Sequence, residues 1–259
     1  MELKNIDVNG LNIYYADCGS GDTVVLLHGW GSSARVHENM IALLSTKYRV
    51  IAPNLPGFGG SDEPPEEWDV DAYVRFTLDF LKNFDCRNVT LIGHSFGGRI
   101  IIKLLALGDV LPVEKVILID SAGVKPVLTS SQKRRTAFIK RGKKLLESDF
   151  VSSHFSSVVE SLKNHIGSED YNAASPMMKR VLVRVVGEDL TELMPKNKKP
   201  TLLIWGTLDT ATPLSDGETM EKLMPESALV KIENAGHFSF LDAPVLVGRI
   251  IASFMNIPV

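Results

Sequence analysis

Six short apolar runs, each ending in a polar or glycine-bearing break, constrain this chain more than any other feature: Thr23 to Leu27, Tyr48 to Ala52, Val89 to Ile92, Lys115 to Ile119, Thr201 to Trp205 and Ala228 to Ile232. Runs that are apolar at nearly every position, rather than at alternate ones, suit strands buried on both faces. Between them lie segments with helical spacing of apolar residues, as in Val36 to Leu44, Asp71 to Phe84 and Val245 to Phe254. Strands alternating with helices imply crossover connections, so the expected class is α/β: a mostly parallel central sheet flanked by helices. The opening differs. Leu3 to Val8, Asn9-Gly10 and Leu11 to Ala16 alternate around a dipeptide favoured in tight turns, which predicts an antiparallel hairpin.

From about Gly123 to Lys199 the strand-like runs stop, and amphipathic helices are expected instead, among them Gln132 to Leu146 and Met177 to Val186. Charge changes sign there too: residues 122–196 hold thirteen Lys and Arg against eight Asp and Glu, in a chain of net charge −3. The expected organisation is a core of residues 1–122 and 200–259 interrupted by a helical cap at 123–199.

In open α/β sheets, ligands gather past the carboxyl ends of the strands. At those places the chain carries His28-Gly29-Trp30-Gly31, Asn54 to Asp62, Gly93 to Gly98 around Ser95, Asp120-Ser121, Gly206 to Asp209, and Gly236-His237. A serine hydroxyl is a weak nucleophile and needs a base to take its proton. An imidazole does this near neutral pH, and a carboxylate on its other nitrogen fixes the tautomer. Gly93 and Gly97 leave room for the abrupt strand-to-helix turn that would hold Ser95 clear of the backbone.

Five motifs in order, "HGWG", "PNLPGFGGSD", "GHSFGG", "WGTLD" and "AGH", resemble the α/β-hydrolase fold family over nearly the whole chain. The resemblance implies Ser95 as nucleophile, Asp209 as acid and His237 as base. It assigns the oxyanion donors to the backbone N–H groups of Trp30 and Phe96. It also implies a cofactor-independent serine hydrolase, a carboxylesterase acting on a small or medium ester. The "HGWG" stretch is similar to that of a carboxylesterase whose cap binds an acyl carrier protein, so a carrier-bound ester is one option. Carbon–carbon bond hydrolases are similar too but commonly carry tryptophan after the histidine, where this chain has Phe238. Ser95 in place of an aspartate disfavours a dehalogenase. Hydroxynitrile lyases and slow ligand receptors share the fold. Asn54 stands where many members have aspartate.

Several residues have competing readings. Asp120 also follows a strand and is the rival acid, or else a structural or pocket-lining group. His28 reads as a loop anchor and His94 as a packing or backbone-orienting residue. Arg99 could meet a substrate carboxylate or pair with Asp62. Asp242 and Pro244 look like a helix start, with the acid favouring its dipole. His154 and His165 read as surface residues. The basic run Lys133, Arg134, Arg135, Lys140, Arg141, Lys143 and Lys144 is a solvated helix face or a guide for anionic substrates. Phe138, Phe150, Phe155, Met177 and Met178 are a ceiling over the serine or simple packing.

Bulk properties exclude other classes. With 44% hydrophobic and 23% charged residues the composition is that of an ordinary globular protein. The charge balance gives no reason to expect nucleic acid, and no run is long enough to predict a membrane span. Cys18 and Cys86 lack metal-ligand spacing and read as buried free thiols. No secretory signal is expected, which predicts a cytoplasmic location.

Overall fold

The structure is a computed structural model that describes residues 1–125 and 174–258. Eight strands form one sheet: β1 (Lys4–Val8), β2 (Leu11–Cys18), β3 (Thr23–Leu27), β4 (Arg49–Pro53), β5 (Val89–His94), β6 (Val113–Ile119), β7 (Thr201–Gly206) and β8 (Ser227–Ile232). Their order is β1-β2-β4-β3-β5-β6-β7-β8. The hairpin β1–β2 and the β2–β4 pair are antiparallel, and every pairing from β4 to β8 is parallel.

The apolar runs are continuous because both faces of the sheet are covered. Val25, Leu27, Leu91, Val116, Leu118, Leu203 and Trp205 face one cluster, shared with helices α2 (Val70–Leu81), α3 (Phe96–Leu105) and α4 (Pro176–Val186). Val24, Leu26, Ile92, Ile117, Ile119, Leu202 and Ile204 face the other, shared with α1 (Glu38–Leu44) and the closing helix. Full burial of each such side chain contributes about 1.5–3 kcal/mol.

Local chemistry sets the helix ends. Asp69 caps α2 by accepting the Ala72 N–H at 2.9 Å. The expected segment Asp71 to Phe84 stops as helix at Leu81, where the Asn83 amide donates to the carbonyls of Asp79 and Phe80. Val36 to Leu44 divides into a 3-10 turn, Ala34–His37, followed by α1. Helices α5 (Leu214–Leu223) and α6 (Ser239–Asp242) add to the expected set, ahead of α7 (Pro244–Phe254).

Of the expected cap, α4 lies within the described residues, starting on Ser175, whose hydroxyl accepts the Met178 N–H, with Pro176 next. It docks on the core: Met178 is buried against Gly57, and Arg180 pairs with Glu67 at 2.6 Å. The segment returns at Leu190, whose N–H donates to the Gly123 carbonyl at 2.9 Å. The Gln132 to Leu146 helix, the basic run, Phe138, Phe150, Phe155, His154 and His165 lie outside the described residues. Both cysteines are free but half-buried rather than buried. Among the described residues, no helix is long and apolar enough to cross a membrane.

Candidate active site

Strand β5 ends at His94 and α3 begins at Phe96, so Ser95 alone makes the turn. Its backbone sits at φ 50°, ψ −111°, a conformation costing a non-glycine residue about 1–3 kcal/mol. The Ser95 N–H donates to the Ile119 carbonyl at 3.1 Å, and the Ser95 carbonyl accepts the Ala122 N–H at 3.0 Å. A methyl group on Gly97 would lie 2.1 Å from the Leu27 carbonyl oxygen, and one on Gly93 would lie 2.7 Å from the Gly98 nitrogen. Both positions therefore need glycine for close approach.

Three residues that are distant in sequence meet at this turn. Ser95 Oγ is 2.9 Å from His237 Nε2, and His237 Nδ1 is 2.9 Å from Asp209 Oδ2. With Nδ1 donating to the carboxylate, Nε2 is left to accept from the serine. The Asp209 side chain is fully buried, while His237 keeps 18% exposure at the mouth of the site. Asp209 Oδ1 accepts the N–H groups of Ala211 and Thr212 at 2.7 and 3.0 Å. Burial alone would raise the Asp209 carboxyl, but the His237 hydrogen bond and charge, with Thr212, outweigh it and hold the group below its ordinary value. The arrangement is a carboxylate held ionised, an imidazole oriented by it and a hydroxyl within hydrogen-bond reach of the free ring nitrogen.

The loop after β3 is built around His28, which is fully buried. Its Nδ1 donates to the Gly29 carbonyl at 2.7 Å and its Nε2 accepts the Leu55 N–H at 2.9 Å. This is the expected anchoring role, and burial lowers the ring to about 4, which keeps it neutral. Asn54 joins the same loops: its side-chain Oδ1 accepts the Ala34 N–H at 2.8 Å and its Nδ2 donates to the Gly59 carbonyl at 2.7 Å. Trp30 packs on Phe58 and Phe96 with ring centroids 4.8 and 5.7 Å apart, making an aromatic wall beside Ser95. As the first residue of α3, Phe96 has no intrahelical acceptor for its N–H.

The rival residues fall into place. Asp120 makes no hydrogen bond to His237; its Oδ1 accepts the Gly206 N–H at 2.8 Å and its Oδ2 accepts from Ser239. Burial pushes its carboxyl up to about 7. His94 orients backbone, donating from Nε2 to the His237 carbonyl at 2.8 Å. Arg99 does not pair with Asp62: it is buried and donates to the Glu188 carbonyl, because its position on α3 faces the returning segment near Glu188. Asp242 ends α6 and accepts the Gly236 N–H at 2.7 Å, tethering the residue before His237 instead of starting a helix.

Sequence reasoning overlooked Thr212 and Ser239. Thr212 Oγ lies 2.8 Å from Asp209 Oδ2 and 3.3 Å from His237 Nδ1. The order Asp209-Thr210-Ala211-Thr212 is the available signal, since an aspartate commonly accepts N–H groups two and three residues on. Ser239 has no comparable local signal.

Known proteins share this frame. The alpha/beta hydrolase fold profile matches residues 22–244. The hydrolase YugF of Bacillus subtilis, itself uncharacterized, is 28% identical over 98% of both chains. The 2-hydroxy-6-oxo-6-(2'-aminophenyl)hexa-2,4-dienoic acid hydrolase of Metapseudomonas resinovorans is 26% identical over 97% of this chain and 90% of its own. The solved structure of an esterase from Exiguobacterium antarcticum superposes with a TM-score of 0.73 at 25% identity, covering 96% of this chain and 97% of the other. With the profile spanning most of the sequence, this chain belongs to the alpha/beta hydrolase fold family.

Proposed function

We propose that the protein is a cofactor-independent serine carboxylesterase that cleaves small or medium esters through an acyl-enzyme. The observation that carries this reading is the unbroken line from Asp209 through His237 to Ser95, with both links at 2.9 Å. Ser95 Oγ attacks the ester carbonyl while His237 Nε2 takes its proton, and Asp209 stabilises the imidazolium. The N–H groups of Phe96 and Trp30 receive the oxyanion; losing one such donor costs about 3 kcal/mol of barrier. His237 then protonates the departing alcohol. A water deprotonated by His237 releases the acid and restores the serine.

The aromatic wall of Trp30, Phe58 and Phe96 supports an apolar acyl group. The remainder of the expected 123–199 cap would set its length. Similarity to the dienoic acid hydrolase supports a second reading, carbon–carbon bond cleavage, which Phe238 disfavours.

The test is turnover of short p-nitrophenyl esters together with labelling of Ser95 by a fluorophosphonate. Ser95→Ala is expected to lower kcat about 10⁴-fold or more and to abolish labelling. A folded wild-type protein that neither labels nor hydrolyses esters overturns the proposal. Efficient cleavage of a vinylogous diketone acid with slow ester turnover selects the second reading.

A further inference from the structure

The turn that ends β6 has no part in the chemistry above, yet it touches all three loops that carry it. Ile119 and Ala122 bracket Ser95 through the two backbone bonds already described. Between them Asp120 reaches the opposite way, with none of its surface exposed. Its Oδ1 accepts the Gly206 N–H at 2.8 Å, three residues before Asp209. Its Oδ2 accepts the Ser239 N–H at 3.1 Å and the Ser239 hydroxyl at 2.6 Å, two residues after His237. Its carbonyl lies 3.0 Å from Thr212 Oγ, which also contacts Asp209.

Two further observations show how closely these loops are drawn together. A methyl group on Gly206 would stand 2.2 Å from the Gly236 carbonyl oxygen, so the acid loop and the histidine loop press against each other. Asp120 itself takes a φ of 45°, in the left-handed region, and such strain persists only where surrounding bonds over-determine it. Three donors from two loops converge on one side chain, and above about pH 7, where it is ionised, the carboxylate only accepts and satisfies them all.

We propose that Asp120 is a positioning residue for the proposed triad, its carboxylate clamping the Asp209 loop to the His237 loop while its own turn fixes Ser95. The inference rests on the serine-hydrolase reading. In Asp120→Asn an NH₂ group must face one of the converging N–H donors, so one loop is released. A misplacement of about 1 Å costs on the order of 10²-fold in rate. Ser239→Ala removes only the hydroxyl donor, and Ser239→Thr keeps it.

The experiment measures the rate of labelling by a short alkyl fluorophosphonate, and kcat and KM for p-nitrophenyl acetate, on wild type and these three variants, with thermal melts alongside. Expected are a fall of about 30–100-fold in labelling rate and kcat for Asp120→Asn at nearly unchanged KM, a fall of about 3–10-fold for Ser239→Ala, and recovery in Ser239→Thr. Should Asp120→Asn fail to fold, the loss in Ser239→Ala and its recovery in Ser239→Thr still decide the matter. Wild-type rates in folded Asp120→Asn or Ser239→Ala overturn the inference and leave the hydrolase reading standing. Absence of labelling in wild type overturns both.

Discussion

Replacing Gly97 by alanine sets two opposing forces against each other. Gly97 is the second residue of α3, and helix propensity alone favours alanine by about 1 kcal/mol. The added methyl group, however, would lie 2.1 Å from the Leu27 carbonyl oxygen and 2.6 Å from its carbon, against an ordinary contact of 3.4 Å or more. The overlap is with backbone at the end of β3, which no rotamer change can relieve. That strand end is held in the sheet by β5, with Leu26 and Leu27 in register with Ile92 and Gly93. Relief requires α3 to tilt or β3 to shift, and overpacking against a fixed obstacle is expected to destabilise by about 3 kcal/mol or more. Gly108→Ala is the control: its φ of +87° is strained for alanine but nothing lies within 4 Å, so about 1–2 kcal/mol is expected. Urea unfolding with unchanged slope measures both. The reasoning is refuted if Gly97→Ala costs no more than Gly108→Ala. Activity should fall too, because Leu27 leads directly into His28, Gly29 and Trp30.

Asp209→Asn removes the acceptor that holds the His237 Nδ1 proton, so kcat is expected to fall about 10⁴-fold with KM nearly unchanged; a loss below tenfold contradicts the assigned role. Asn54→Asp puts a carboxylate oxygen opposite the Gly59 carbonyl, 2.7 Å away, and should cost about 1–3 kcal/mol in urea unfolding; an unchanged midpoint contradicts this. Asp120 titrates at about 7 in the fold against an ordinary 3.8, so the native state binds its proton more tightly. Its contribution to stability is complete below about pH 4 and is lost as pH rises through 7. The stability gap between wild type and Asp120→Asn should therefore narrow from about pH 5 to about pH 8, and a widening gap would count against buried strain at this carboxylate.

The sheet was legible because a strand covered on both faces must be apolar at nearly every position, as Val116 to Ile119 are. The meeting of Ser95, Asp209 and His237 was legible because each follows such a run and a serine nucleophile would need a base and an acid beside it. What lay hidden was the bracing. Asp120 bonds to partners 86 and 119 positions away, and Arg99 to a carbonyl 89 positions away, and such contacts leave no period in the chain. Helix α5 was missed for a related reason: only Gly217 and Met220 of it are buried, too few to imprint a stripe. Asn54 differs again, since its two bonds are local enough to be read only once the loop's path is known.

The Leu190 to Gly123 hydrogen bond has an evolutionary reading. The segment that leaves the core at Gly123 returns beside the same residue, so its two ends are pinned together, while α4 near its return stays packed on the core. Closing a longer loop adds only about 0.6 kcal/mol per doubling, so a change of length ahead of α4 should cost the core little. Such a change can therefore leave the geometry around Ser95 as it is. Grafts between relatives should be joined at these two residues.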